Sequence, residues 1–305
     1  MELRSGRVRI GVGGWEHDIL DSVFYGTTGL GSEAKLARFA RHFDCVEVRQ
    51  TFWDGALTAD DAARWIDAVA DSSAFRFIVK LHRSFTHEKQ APPDLRVRVR
   101  SLVGLLDRSG RLGTLLAQFP FSFTNTGANR KTLSTIAELF RGFPLSVELR
   151  HASWHGAAVL RLARDLGFAL VSPDLPRLPQ FFHLHGGTGD GISVLRLHGR
   201  NEKGWLLKRT DERYEYLYNV RELLELRRRT EAAGNPGRDV YVVFNNTPGG
   251  RALVNALQFT ASLGEGRPLS VPPQLLAAFP QLRSITDPSL GEESLFSGEP
   301  IRTAS

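Results

Sequence analysis

The sequence predicts a single-domain α/β fold, a TIM-like (β/α) barrel whose sixth crossover helix is missing or irregular. Eight short apolar, β-branched runs alternate with helical patterns along the chain, and eight strands in βα alternation suggest a closed barrel. Composition agrees, because 305 residues with 42% apolar and 24% charged side chains suit a globular protein with a substantial core.

Strands are expected at Val8 to Gly14, Cys45 to Arg49, Phe75 to Leu81, Leu112 to Gln118, Leu145 to Arg150, Phe168 to Pro173, Ile192 to His198 and Asp239 to Asn245. Helices are expected at about 32–43, 58–70, 94–109, 128–141, 155–167, 211–233 and 249–262. Thr58 precedes Asp60 and Asp61, so its hydroxyl can cap free amides where the helix dipole favours carboxylates, and Ser32 before Glu33 offers the same arrangement. In the 211–233 segment Glu225 and Arg229 are spaced to pair on an outer-ring helix. Between Asp174 and Gly191 the prolines Pro176 and Pro179 and a run of glycines exclude a helix, and a long irregular loop at this end of a barrel covers a site. The barrel is expected to occupy 1–264, followed by a C-terminal extension, 265–305, with a short packed helix near Pro273 to Phe279 and a loose end.

No apolar run reaches the roughly 18 residues that a spanning helix needs. The start Met1-Glu2-Leu3-Arg4-Ser5 has no signal-peptide character, so a cytoplasmic chain without a membrane partner is expected. Cys45, the single cysteine, forms neither an internal disulfide nor a cysteine-rich zinc site. The net charge of +6 and pI near 9.8 admit acidic partners, although 33 of the 39 basic residues are arginine, a skew that coding bias also produces. A small anionic ligand is the expected partner, nucleic acid stays open, and the oligomeric state is not fixed by the sequence.

Side chains alternate across a strand, so one parity faces the barrel axis. In Leu145 to Arg150 the apolar Val147 and Leu149 suit the helix layer, which turns Ser146, Glu148 and Arg150 inward. The same division turns Cys45, Glu47 and Arg49 inward, then Arg76, Ile78 and Lys80, then Gln118, then Arg196 and His198, then Asn245. A barrel built only for stability fills its axis with Val, Ile and Leu. Here the inward set counts Arg49, Arg76, Lys80, Arg150 and Arg196 against Glu47, Glu148 and Asp174, so the mouth should favour an anion.

Ordered motifs then become recognisable: Val12-Gly13-Gly14-Trp15, Phe24-Tyr25, Val46-Glu47-Val48 with Thr51-Phe52, Phe77 with Lys80, Thr86-His87, Gln118-Phe119-Pro120, Glu148-Leu149-Arg150-His151 with Ser153-Trp154, Arg196-Leu197-His198-Gly199, and Phe244-Asn245-Asn246 with Asn255-Ala256. Together, over about residues 8–262, they resemble the YecE-like family, domain of unknown function 72. The resemblance implies a TIM-like barrel and no established activity. Arg49-Gln50 stands where that family usually has Asn-Ser before Thr-Phe-Tyr, which adds a cation to the mouth.

Glu148 with His151 is the strongest local signal: the carboxylate as general acid or base, the imidazole as proton shuttle, and Arg150 holding an anion by forked hydrogen bonds. The bland alternative is an internal pair, Glu148 with Arg150 or Glu47 with Lys80. Glu47 and Glu148 also invite a paired-carboxylate glycosidase reading. Lys80 is a Schiff-base candidate if cations and burial depress its pKa, but Glu47 as counterion favours an ordinary charged lysine. His87, His151 and His198 with Glu47, Glu148 and Asp174 have the ligand types for a divalent metal without a diagnostic spacing; structural histidines are the alternative. Gly11, Gly13 and Gly14 lack the rest of a dinucleotide fingerprint and read as room for Trp15, so no nucleotide cofactor is expected. Trp15, Phe52, Trp53 and Trp154 suit an apolar wall, with Thr51 beside it, or a plug between loops. Asn245 and Asn246 end the eighth strand where barrels often bind phosphate, or simply form a turn.

The reading is an enzyme, hydrolase or isomerase, using acid–base chemistry on a small phosphorylated or carboxylated molecule, with Lys80, Arg150 and Arg196 binding the anion and Gln118 and Asn245 orienting it. The alternatives are an endonuclease-like barrel that binds or processes nucleic acid, and a non-catalytic ligand-binding barrel.

Overall fold

The computed structural model describes residues 2–3, 6–184, 191–207, 212–234, 237–264 and 269–286. Eight parallel segments form the ring: β1 (Gly6–Gly13), β2 (Cys45–Val48), β3 (Arg76–Lys80), β4 (Leu112–Gln118), β5 (Leu145–Glu148), β6 in two pieces (Ala169–Leu170 and Ser172–Asp174), β7 (Ile192–Leu197) and β8 (Asp239–Phe244). Each pairs with the next, and β8 returns to β1, Val242 opposite Ile10. The first piece of β6 pairs with β5 and the second with β7, so the circuit passes from one neighbour to the other at Val171. Pro173, which has no N–H to give a ladder, lies in the second piece. A two-residue strand, Glu2–Leu3, adds antiparallel to the start of β1.

The expected helices form the outer layer: α1 (Ser32–Phe39), α2 (Ala59–Ala68), α3 (Pro93–Arg108), α4 (Gly127–Leu139), α5 (Ala157–Leu166), α6 (Val220–Ala233) and α7 (Arg251–Leu263). Thr58 closes a capping box at α2: its Oγ1 accepts from the Asp60 N–H at 3.3 Å while Asp61 Oδ2 accepts from the Thr58 N–H at 2.7 Å. Ser32 does not cap. Gly31 occupies that position, and the Ser32 carbonyl and hydroxyl oxygens both lie within reach of the Trp15 indole N–H. α6 starts at Val220, not 211, because Asn219 and Glu222 make a second capping box there. The expected Glu225–Arg229 pair is replaced by partners off the helix: Glu225 meets Arg177 and Arg200, and Arg229 meets Asp174.

No helix follows β6 among the described residues. Leu175–Leu184 runs back over β5, where Phe181 bridges His151 and packs with Leu175 and Trp205; His185, Gly186, Gly187 and Gly189 lie outside the described residues. A short helix, α8 (Pro273–Ala278), buries Leu275 in the main core, and the expected loose end from 287 onward lies outside the described residues. No helix among the described residues is long and apolar enough to cross a membrane.

Two apolar layers leave room for the charged one. Outward residues such as Phe77, Leu115, Val147, Leu197 and Phe244 join the helices in the main core. A smaller cluster on the axis, Cys45, Ile78, Leu116, Val171, Val194, Tyr241 and Val243, plugs the middle of the barrel. Thr58→Ala should lower the stability measured by urea unfolding by about 1 kcal/mol, and Ser32→Ala by clearly less; equal losses would contradict the capping assignment.

Candidate active site at the barrel mouth

Above the apolar plug, the last inward residues of the strands build a polar layer around Arg196. This arginine is 2% exposed and lies on β7, from which it reaches two other strands. Its Nε and Nη2 donate to the two carboxylate oxygens of Glu47, each at 2.8 Å, and its Nη1 donates to Glu148 Oε2. Glu148 Oε1 also accepts from Arg150 Nε at 2.9 Å and lies 3.2 Å from His198 Nε2. Asn245 Nδ2 donates to His198 Nδ1 at 3.0 Å, which assigns the imidazole proton to Nε2, on the Glu148 side.

These contacts set the charges. Burial alone would push both carboxyls up, but Arg196 overrides it: Glu47 is held below its ordinary value and Glu148, with His198 and Arg150 also against it, well below. Burial lowers His198 to about 4, more than Glu148 raises it, so the ring is neutral. Lys80 stands apart. It ends β3 and remains partly open to solvent; its Nζ lies 3.7 Å from the centroid of the Phe52 ring and has no ion pair or hydrogen bond among the described residues. Desolvation, then Arg196, outweighs the attraction of Glu47, and Arg150 and Arg49 add to the lowering, to about 7. Arg49 likewise has no carboxylate within ion-pair distance among the described residues; its Nη1 lies 3.3 Å from His17 Nε2 and 3.5 Å from Thr247 Oγ1.

The other expected site residues divide into those at the mouth and those that build it. Phe52 is the platform under Lys80, and the His87 ring packs edge-on against it; desolvation, Lys80 and Arg150 bring His87 down to about 4. Thr51 donates to the Lys80 carbonyl at 2.6 Å and so ties the loop after β2 to the end of β3. Gln118 Nε2 donates to the Phe119 carbonyl at 2.6 Å and is buried beside Glu148 in the β4–β5 register.

Several expectations are corrected. Glu148 and Glu47 are both paired with cations and held below their ordinary values, which leaves the paired-carboxylate glycosidase reading without a carboxyl poised to donate a proton near neutral pH. The expected Glu47–Lys80 pair is absent because Arg196 takes both oxygens of Glu47. His151 does not join Glu148: its Nδ1 caps Ser153, and its ring faces Phe121. Trp15 and Trp154 are core residues, each donating its indole N–H to a carbonyl, of Ser32 and Phe123 respectively; Trp53, at 67% exposed, lies outside any wall. Asn246 is a clamp on Tyr216 and Asn255. Arg76 is inward but at the opposite end of the barrel, where it donates to the Ser73 and Phe75 carbonyls. Asp174 points into the helix layer, bound to Arg200, Arg229 and the Tyr218 hydroxyl, so it adds no charge to the mouth, and the six-residue metal set does not converge. The space at Gly13 serves Asn245, whose Oδ1 lies 2.5 Å from where a Cβ would stand, rather than Trp15.

A family profile described as "Protein of unknown function DUF72" matches residues 9–277. The chain belongs to this family. Among its relatives, the UPF0759 protein YunF of Bacillus subtilis (strain 168) is 27% identical over 270 residues, covering 82% of this chain and 93% of YunF. A DUF72 family protein from Thermotoga maritima MSB8 superimposes with a TM-score of 0.73 at 30% identity, covering 84% of this chain and 98% of the other. One from Enterococcus faecalis V583 gives 0.74 at 26%, covering 87% and 96%.

The DUF72 barrel also carries mouth residues that the strand pattern alone does not reveal. Trp205 lies on the short helix Glu202–Leu206, with the Arg150 guanidinium 5.6 Å from its ring centroid, and Tyr214 packs against both Trp205 and His198. Asn201, which caps that helix through the Gly204 N–H, is the signal that a structured loop follows β7. His17, whose Nε2 donates to the Gly13 carbonyl at 2.7 Å, sits beside Arg49 after β1.

Arg196→Met would leave two buried carboxylates without their main cation, at a cost of about 3–5 kcal/mol near neutral pH. In the parent the two carboxyls titrate below the ordinary 4.5, so their contribution is present above that value and lost as the pH falls through the depressed ones. In the variant burial dominates, the carboxyls protonate more readily, and the deficit should shrink from pH 7.5 to pH 5 in urea titrations. A deficit that grows on acidification would contradict the network.

Proposed function

We propose that the protein is an enzyme that binds a small phosphorylated or carboxylated molecule at the mouth of the barrel and transfers a proton through Lys80. One observation carries the reading: Arg196 and Arg150 absorb the charge of Glu47 and Glu148, while Lys80 and Arg49 have no carboxylate partner among the described residues. Four cations meet two carboxylates in this layer, so an arriving anion completes the charge balance instead of competing with an existing pair. Arg49 supplies a forked donor for phosphate or carboxylate, and the buried Asn245 Oδ1, which has no partner, can accept from a substrate hydroxyl.

Of the catalytic candidates offered by the sequence, Glu47, Lys80, Glu148 and His151, Lys80 alone is left uncommitted at the mouth. A lysine lowered to about 7 exchanges protons near neutral pH, and an anion bound between it and Arg49 favours its charged form. Isomerisation by proton transfer and hydrolysis both fit this arrangement.

Sulfate, which does not titrate in this range, is the probe. Arg49→Ala should weaken its binding about 10–100-fold in calorimetry, the loss of one charge-assisted hydrogen bond. In the parent, affinity should fall as the pH rises from 6 to 8.5, because Lys80 loses its proton; Lys80→Met should bind more weakly and lack that slope. His87 and His198 stay neutral over this interval, since burial brings each to about 4, and burial also lowers His17. Sulfate binding that ignores both substitutions would refute the site.

A further inference from the structure

In the cleft of about 420 Å³ between Asp174, His183 and Arg229 the carboxylates are held in ion pairs, and the groove between α3 and α4 has no unpartnered buried side chain among the described residues, whereas the Lys80 amine at the mouth has no ion pair or hydrogen bond among them. We infer that Lys80 is a covalent nucleophile and that the anionic substrate carries an aldehyde or ketone, which Lys80 captures as an imine. This rests on the anion-binding reading above and narrows it to carbonyl compounds such as small oxo acids or phosphorylated aldehydes.

The geometry of Lys80 differs from that of the other lysines. Its backbone is pinned, because it ends a strand and its carbonyl accepts from Thr51 Oγ1. Its amine rests on the face of Phe52, which attracts a cation weakly but takes no proton and leaves the nitrogen lone pair accessible once the proton departs. Every charged group around it is accounted for. Glu47 is held by Nε and Nη2 of Arg196, and Arg49 and Arg150 add repulsion, while His87 is neutral. Desolvation and neighbouring cations together are the conditions that activate a lysine. By contrast Lys35 is held by Asp21 at 2.6 Å and Lys89 donates to Asn129 at 2.8 Å, and Lys131 and Lys203 are exposed.

The step balances without a further reactant. The neutral Nζ attacks the carbonyl carbon and the π pair moves to oxygen; a nitrogen proton transfers to that oxygen, giving a carbinolamine. The second nitrogen proton then leaves with the hydroxyl as water as the C=N bond forms. Arg49 holds the anionic group, which fixes the carbonyl near the amine.

The test is reductive trapping on the intact protein. Glyoxylate and cyanoborohydride at pH 7.5 should mark Lys80 at least about 10-fold faster than the exposed Lys131, because desolvation and neighbouring cations activate the Lys80 amine, with peptide mass spectrometry reading both sites in one sample. Acetaldehyde, which lacks the carboxylate, should show a smaller Lys80 to Lys131 ratio. Lys80→Arg should abolish the fast label while its urea-unfolding midpoint matches the parent's, showing that the variant is folded. If sulfate binds the parent and Lys80 is marked no faster than Lys131, the nucleophile is refuted while the anion site survives. If both aldehydes favour Lys80 equally, the anionic substrate class is refuted and the preceding reading fails with it.

Discussion

One guanidinium makes this barrel possible. Two carboxylates, Glu47 and Glu148, sit fully buried in the polar layer, and each would incur a large desolvation cost alone. Arg196, extending from β7, satisfies both at once, and Arg150 completes Glu148. Because the three strands involved are not neighbours, the ion pairs also cross the barrel and fix how the strand ends stand relative to one another. A hydrophobic filling would be at least as stable in general, which makes the retained charge a statement about the mouth.

That statement concerns what is left over. With Glu47 occupied twice by Arg196, Lys80 lies close enough to feel cations yet has no carboxylate of its own among the described residues, and Arg49 faces a histidine whose pKa burial lowers instead of an acid. Burial keeps the His198 imidazole neutral and Asn245 directs its proton toward Glu148, so the acid–base capacity of this end is concentrated on one amine. Phe52 beneath it, with Trp205 and Tyr214 near Arg150, supplies the low-polarity surroundings that strengthen charge effects.

Much of this was legible in the sequence because period-two alternation is a strong constraint. It placed Glu47, Lys80, Gln118, Glu148, Arg196 and Asn245 on the axis, and eight strands were countable because βα alternation leaves few other interpretations. Alternation gives the side of a strand but not the height along it, which is why Arg76, at the start of β3, was counted with the mouth although it serves the other end. Asp174 shares a face with Leu170 and Ser172, so the same rule would have turned it outward had it been carried through the sixth strand. Partner choice was not legible at all. Nothing in the order of residues says that Glu47 takes Arg196 rather than Lys80, since that depends on three-dimensional distance between β2, β3 and β7. Trp15, Trp154, His151 and Asn246 failed for a related reason: each has the right type at a strand end, and each is consumed by a local carbonyl, cap or amide.

The ionisation of Lys80 tests this account most directly, because it reports whether Arg196 has removed the one available counterion. The ε-carbon chemical shift of each lysine, followed by NMR from pH 5 to pH 12 with Lys80→Arg to assign the resonance, resolves it. The account predicts a Lys80 midpoint near 7, well below the ordinary 10.5. A midpoint near 10.5 would mean that a carboxylate holds the ammonium after all and would contradict the charge assignment on which the mouth depends.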